Sequence, residues 1–317
     1  MSVLAQIDTG HRDMIHDAQV DYYGTRLATC SSDRTIRLFE VRPSGQPSPI
    51  ADLTGHEGPV WQISWSHPSW GNLLASCSYD HKVIIWQDVD KNKWTRIHEY
   101  TAHEASVNSV SWAPYNLGCV LACASTDKSI SVIRYRDDTA SWEPYRIQSA
   151  HEQGCNAVSW CPHVIPATAP DTQTTTNISR IVSGGNDCLV KIWKCDPDGQ
   201  WRLEHALEGH NDWVRDVAWA PAVGSNMNMI ASCGQDMRVI IWKCAKLDTD
   251  KWDMVVLPKF DDVVWHVSWS MFNCVLAVST GDNKVSLWKE TLEGDWKCIS
   301  ESQQHGPDDS HHSRTDG

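Results

Sequence analysis

Phenylalanine is scarce in this chain, with three residues against eighteen tryptophans, and no C-x-x-C motif occurs. No uncharged run approaches the ~20 apolar residues that carry a helix across a bilayer. Met1 to Arg12 lacks the basic stretch followed by a long apolar stretch of a secretory signal, so the chain is expected to face the cytosol or nucleoplasm. Cations are also few: 27 Lys and Arg stand against 40 Asp and Glu, a net charge of −13. Direct nucleic-acid binding needs a cationic footprint that displaces counterions from phosphates, and docking on anionic lipid needs basic segments. Neither is expected, and membrane contact should come only through partners. A length of 317 residues allows one large all-β domain or two ordinary ones.

The twelve cysteines include no Cys/His set at zinc-finger spacing. Cys30, Cys77 and Cys233 each stand three residues before an Asp, inside short apolar runs. They read as small buried thiols in strands of a reduced protein. No metal and no cofactor is expected. The pairs His56-Glu57, His103-Glu104 and His151-Glu152 do not continue to H-E-x-x-H. A nucleophile elbow and a phosphate-binding glycine loop are missing as well. No catalytic residue is therefore assigned, and the chain reads as a non-enzyme.

What is present is a repeat. An Asp followed six residues later by a bulky apolar residue recurs at Asp33/Phe39, Asp80/Trp86, Asp127/Ile133, Asp187/Trp193, Asp236/Trp242 and Asp282/Trp288. Upstream, Gly10-His11, Gly55-His56, Ala102-His103, Ala150-His151 and Gly209-His210 open successive units. Trp65, Trp112, Trp160 and Trp219 follow their His by nine residues. The first unit has Val20 at that place, and the sixth keeps the spacing from Phe260 to Trp269 without the His. A third marker, Trp94, Trp142, Trp201, Trp252 and Trp296, follows each Asp run but the first across a polar turn. The runs between markers, such as Lys82 to Trp86, are β-branched and aromatic, and no window shows a helical stripe. Each unit thus carries four short strands: after the His, before the Asp, after the Asp, and from the late Trp. Four strands in about 45 residues make a propeller blade.

These markers resemble the WD-repeat family from Gly10 to about Ser300. Consecutive strands are antiparallel, so the His loop and the Asp turn lie at one end of the blade. A buried Asp there accepts main-chain N–H bonds and one bond from the His ring. The resemblance adds a strand Ser or Thr and the third-strand Trp as further partners. The sets expected to be structural are His56, Asp80 and Trp86; His151, Asp187 and Trp193; and His210, Asp236 and Trp242.

WD propellers mostly close by strand exchange, the N-terminal segment completing the last blade. Here the sixth unit already ends in its own strand, Trp296 to Ser300, yet Val3 to Asp8 also sits where an outer strand belongs. An open ring would leave a strand edge and a dry blade face in water. Three further strands donated by a partner would complete a seventh blade by β-augmentation; the other readings of the surplus segment are a frayed terminus, or N-terminal and C-terminal strands that compete for one place. The expected organisation is residues 1–8 as an N-terminal strand, 9–300 as an open six-bladed propeller with an insertion at 162–179, and 301–317 as a disordered tail. The expected partner-binding residues are Val3, Leu4, Ala5, Gln6, Ile7, Asp8, Trp296, Cys298 and Ile299.

Several stretches narrow the resemblance: residues 13–34, GHEGPVWQISW (55–65), SCSYDHKVIIW (76–86), DWVRDVAWAP (212–221) and DVVWHVSWS (262–270). They resemble the small WD-repeat subunits of the COPII vesicle outer coat. That resemblance implies a scaffold for ER-to-Golgi transport, completed in trans by a blade from the large α-solenoid cage subunit. It further implies a shared role with an α-solenoid scaffold nucleoporin of the nuclear pore Y-complex, and a nutrient-signalling complex at the lysosome or vacuole. The implied locations are the cytoplasmic face of the endoplasmic reticulum, COPII vesicles, and the nuclear pore in the nuclear envelope. The alternative is a generic WD-repeat adaptor such as a ubiquitin-ligase substrate receptor. The W-D-x-R mark frequent in that class is missing, since Gln87, Lys194, Lys243 and Lys289 follow the third-strand Trp residues.

Overall fold

The computed structural model describes residues 7–42, 46–162, 178–222, 227–245, 247, 251–272 and 274–302. Within them lie six four-stranded antiparallel sheets, each built from four strands in chain order. The first sheet is Ile15–Val20, Arg26–Ser31, Thr35–Glu40 and Ser48–Thr54. The last is Val264–Trp269, Leu276–Thr280, Val285–Glu290 and Trp296–Ser302. The strands fall where the His, Asp and late-Trp markers place them. The first strands of successive sheets lie side by side, and each also packs on the second strand of the sheet before it. The sheets are therefore blades of a β-propeller around an axis lined by their first strands. No comparable packing joins blade 6 to blade 1 among the described residues, so the ring is open.

The place of blade 6's outer strand is filled by Trp296–Ser302 of the same blade. Val3 to Gln6, residues 163–177 of the insertion and the tail from 303 lie outside the described residues. Ile7 and Asp8 belong to an irregular stretch ahead of the first strand. Where blade 4 carries its insertion, blades 2 and 3 make only a short 3-10 turn, Pro68–Trp70 and Tyr115–Leu117.

The core is a set of five apolar slabs, one in each seam between neighbouring blades. Alternation along a strand serves two seams at once. In blade 2, Leu74 packs toward blade 1, while Leu73, Ala75 and Cys77 pack toward blade 3. That is why second strands such as LLASCS show no polar face: all six residues are buried.

The tryptophan surplus has a geometric origin. The last residue of the first strand meets a Trp in, or for Trp252 just ahead of, the outer strand of the same blade: Trp65–Trp94, Trp112–Trp142, Trp160–Trp201, Trp219–Trp252 and Trp269–Trp296, with ring centroids 5.7–6.2 Å apart. Such edge-on and tilted contacts suit the ring quadrupole. Each pair leans on the preceding blade. Blade 1 has none before it within the described residues, and it carries Val20 at the first place and Pro47, one residue before Ser48, at the second.

Candidate functional site

The His and Asp residues form one recurring network. In blade 2 the His56 Nδ1 lies 2.9 Å from Asp80 and its Nε2 lies 2.8 Å from Ser76 Oγ. The Trp86 indole N–H donates to the same Ser76 oxygen at 2.9 Å. His151, Asp187, Ser183 and Trp193 repeat this in blade 4, and His210, Asp236, Ser232 and Trp242 in blade 5. With the serine oxygen accepting the indole N–H, the hydroxyl proton turns to Nε2, and Nδ1–H donates to the carboxylate. Asp80 also accepts the N–H groups of Glu57 and Lys82, which ties the His loop to the Asp turn. The residue after each turn Asp is left-handed: Arg34, His81, Lys128, Cys188, Met237 and Asn283 have φ of 61–74°.

Ser76–His56–Asp80 has the connectivity of a hydrolase triad. Its surroundings are wrong for one. Ser76, Ser183 and Ser232 are 0% exposed, and an indole N–H occupies the oxygen that would attack. The networks hold blades together.

Blade 3 shows the dependence between the partners. Cys123 stands at the serine position and Ile133 at the tryptophan position. Without a serine, His103 Nε2 is buried and unbonded, and there is no hydroxyl for an indole to meet. Asp127 is held instead by His103, Ser129 and Arg146. Cys123→Ser supplies the missing donor and should stabilise the chain by about 1 kcal/mol, raising the thermal midpoint by roughly 2–4 °C. A midpoint that falls would show that the serine position does not serve the histidine.

A second set of contacts crosses the seams near the axis. The Nε1 of Trp65, Trp112, Trp160 and Trp269 donates to a carbonyl of the preceding first strand: Gln19, Ser64, Ser111 and Ala218, at 2.8–3.1 Å. The third residue of the strand accepts the next blade's N–H in four seams: Asp17 from Ile63, Gln62 from Val110, Ser109 from Val158 and Asp216 from Val267. In blade 6 the third residue is His266, whose ring turns back to Asp216 at 2.6 Å.

The Asp216 charge outweighs the cost of burial and raises the His266 pKa to about 9, with Asp17 across the axis adding to it. His103 and His151 behave oppositely: burial lowers both, against the pull of Asp127 and Asp187. Burial alone would raise Asp80 and Asp127, but the bonds from His56 and from Ser129 and His103 hold both at about 2. The pH profile follows by linkage. The contribution of His103 and His151 is complete above their unfolded value of ~6.5 and fades as pH falls below it. That of Asp80 and Asp127 is complete above ~4 and is lost as pH drops toward about 2. That of His266 is complete below ~6.5 and is lost as pH rises through about 9. Thermal stability should peak near neutrality, and His266→Gln should remove part of the alkaline decline only. A variant with the wild-type alkaline limb would rule this assignment out.

The face that differs from the rest is the open one. The residue three after the turn Asp, at or next to the start of the third strand, is 0–1% exposed in blades 1 to 5, at Ile36, Val83, Ile130, Val190 and Val239, but 36% at Val285 in blade 6. The first residue of the first strand is 0% exposed in blades 2 to 6, at Val60, Val107, Cys155, Val214 and Val264, but 45% at Ile15 in blade 1. Val20 is 59% exposed where Trp112, Trp160 and Trp219 are 6–9%. Two apolar blade faces thus stand uncovered at the two ends of the ring.

The residues expected to bind a partner divide. Val3, Leu4, Ala5 and Gln6 lie outside the described residues, and Ile7 and Asp8 are in no strand. Trp296 is corrected to a core residue: it is 8% exposed and packs with Trp269 in the slab between blades 5 and 6. Cys298 stands opposite Trp288, on the blade 5 side of its sheet, and Ile299, in the outer-strand bulge, is 54% exposed. Ile15, Val20 and Val285 are the apolar residues that sequence reasoning did not place at the open face. Val20, at a tryptophan position, was the one available signal.

Repeated four-stranded blades with His–Asp–Ser–Trp networks define a WD-repeat propeller. The family model for the WD domain, G-beta repeat, matches residues 3–40, 47–87, 94–134 and 201–243. Human SEC13 homolog is 56% identical over 304 residues, covering 95% of this chain and 94% of that protein. The Dictyostelium discoideum SEC13 homolog is 50% identical over 297 residues, covering 93% and 97%. Protein transport protein sec13 of Emericella nidulans is 46% identical over 311 residues, covering 94% and 97%. The chain belongs to the SEC13 family of WD-repeat proteins.

Proposed function

We propose that this chain is a non-enzymatic scaffold subunit of the COPII outer cage, acting in ER-to-Golgi protein transport. Its open seam takes a seventh blade, with three strands from the large α-solenoid cage subunit and the fourth from Val3 to Asp8. The observation that carries the reading is the pair of uncovered apolar faces, Ile15 and Val20 on blade 1 and Val285 on blade 6. The family match adds support. Segments 47–87, 94–134 and 201–243 each open in or just before a blade's outer strand, and segment 3–40 starts with Val3 to Asp8 in that place. The same seam would seat the α-solenoid scaffold nucleoporin of the nuclear pore Y-complex and a component of a nutrient-signalling complex at the lysosome or vacuole. The chain would then work at the cytoplasmic face of the endoplasmic reticulum, on COPII vesicles and at the nuclear envelope.

Hydrogen exchange on the full chain, alone and with the large cage subunit, tests the reading. The amides of Val3 to Asp8 and of Val264 to Trp269 should gain protection in the complex. Equal protection in both states would mean that no blade is donated at this seam.

A further inference from the structure

Each first strand contains a β-bulge near its start, which re-aims one side chain. The bulged residues are His16, Trp61, Asn108, Asn156, Arg215 and Trp265. Every one of the first five reaches the next blade. The His16 ring meets Trp61 at 4.6 Å. The Trp61 N–H donates to Ser106 Oγ at 2.9 Å, one residue ahead of blade 3's first strand. Asn108 donates to the Cys155 carbonyl and Asn156 to the Val214 carbonyl, at 3.0 and 2.8 Å. Arg215 lies over the Trp265 ring at 4.7 Å.

Trp265 is the sixth member and has no following blade. Arg215 behind it covers the ring, its Nε1 lies beside Gly281 of its own blade, and it is 51% exposed. The Trp-to-carbonyl contact, made in four of the five closed seams while Trp219 Nε1 stays unbonded in the fifth, ends in the same way. Ser268 is the blade 6 counterpart of Gln19, Ser64, Ser111 and Ala218, whose carbonyls each accept an indole N–H from the next blade. On the other side of the opening, blade 1 presents Ile15 and Val20, neither of which has a side-chain donor. Blade 6 thus brings hydrogen-bonding groups to the seam beside the apolar Val285, while Ile15 and Val20 of blade 1 bring only apolar surface.

We propose that Trp265 and the Ser268 carbonyl read the first strand of the donated blade, so that this strand has an acceptor just ahead of it and a tryptophan as its sixth residue. The acceptor is a hydroxyl, as Ser106 is for Trp61, or a main-chain carbonyl. This rests on the donated-blade reading and specifies the chemistry of the donated segment.

The test uses the full chain with the large cage subunit. Trp265→Phe keeps the ring and removes the N–H, so the Kd should rise about threefold to tenfold with the midpoint of the lone chain unchanged. Trp61→Phe, whose N–H is used within the chain, should lower the midpoint of the lone chain and leave the Kd alone. Hydrogen exchange read by mass also identifies the partner segment that becomes protected, and it should contain a tryptophan six residues into its first strand. If Val264 to Trp269 gains protection but Trp265→Phe binds normally, or the protected segment has no tryptophan, the inference is overturned and the donated blade stands. If Val264 to Trp269 gains no protection, both fall.

Discussion

Gly185→Ala should lower the thermal midpoint by roughly 6–12 °C, the equivalent of about 3 kcal/mol. Gly185 lies in the second strand of blade 4 with the His151 ring resting on its main chain. A Cβ built there falls 2.3 Å from His151 Nδ1 and 2.4 Å from Cγ, too close for any relaxation that leaves the ring in place. His151 is 0% exposed and holds Asp187 at 2.7 Å and Ser183 at 2.8 Å, so moving it breaks both bonds inside the core. Overpacking contributes 1–3 kcal/mol and each disrupted buried hydrogen bond about 1 kcal/mol more. Blades 1 to 3 have Ser31, Ser78 and Ser125 at this position, with hydroxyls bonded to loop carbonyls. Gly185→Ser therefore restores the residue of other blades and should still destabilise, because the constraint belongs to the His151 ring. Thermal unfolding of both variants checks this; midpoints within 1–2 °C of wild type would show that the ring can move freely.

The blades were legible in the sequence because their markers are tied to geometry. An Asp must sit in the turn and a His in the neighbouring loop, so their phase survives even where Phe260 replaces the His. The strand count was legible for the same reason, and it left Val3 to Asp8 over. The role of Trp296 was not. Outer-strand position alone suggested a partner surface, but the register turns its ring toward Trp269 and blade 5. The bulge contacts were hidden because the seams use several chemistries at one position: aromatic, hydroxyl, amide and guanidinium. Trp61 and Trp265 share a residue type, as do Asn108 and Asn156, but no single type runs through all six blades to betray the shared geometry. Blade 3 was half legible: Ile133 was visible in place of a tryptophan, while its coupling to Cys123 follows only from the shared serine oxygen.

Val285→Arg should weaken binding of the large cage subunit by at least about 100-fold, near 3 kcal/mol, while leaving the lone chain folded. Val285 is 36% exposed on the uncovered face of blade 6, so an arginine there reaches water in the free chain. Its counterparts Ile36, Val83, Ile130, Val190 and Val239 are at most 1% exposed, which is the burial Val285 would attain under a seventh blade. An unpaired guanidinium in such a slab costs several kcal/mol. Val83→Arg is the internal comparison: the same change inside a seam already closed should prevent folding. Ile15→Arg should act like Val285→Arg from the blade 1 side, since a donated blade must touch both faces. Affinity and thermal midpoint, measured on the same samples, separate the outcomes. If Val285→Arg and Ile15→Arg both bind normally, the partner docks elsewhere on the propeller. If only Ile15→Arg binds normally, the donated strands extend blade 6 without bridging to blade 1. A Val285→Arg chain that unfolds alone would mean that the face is already covered within this chain.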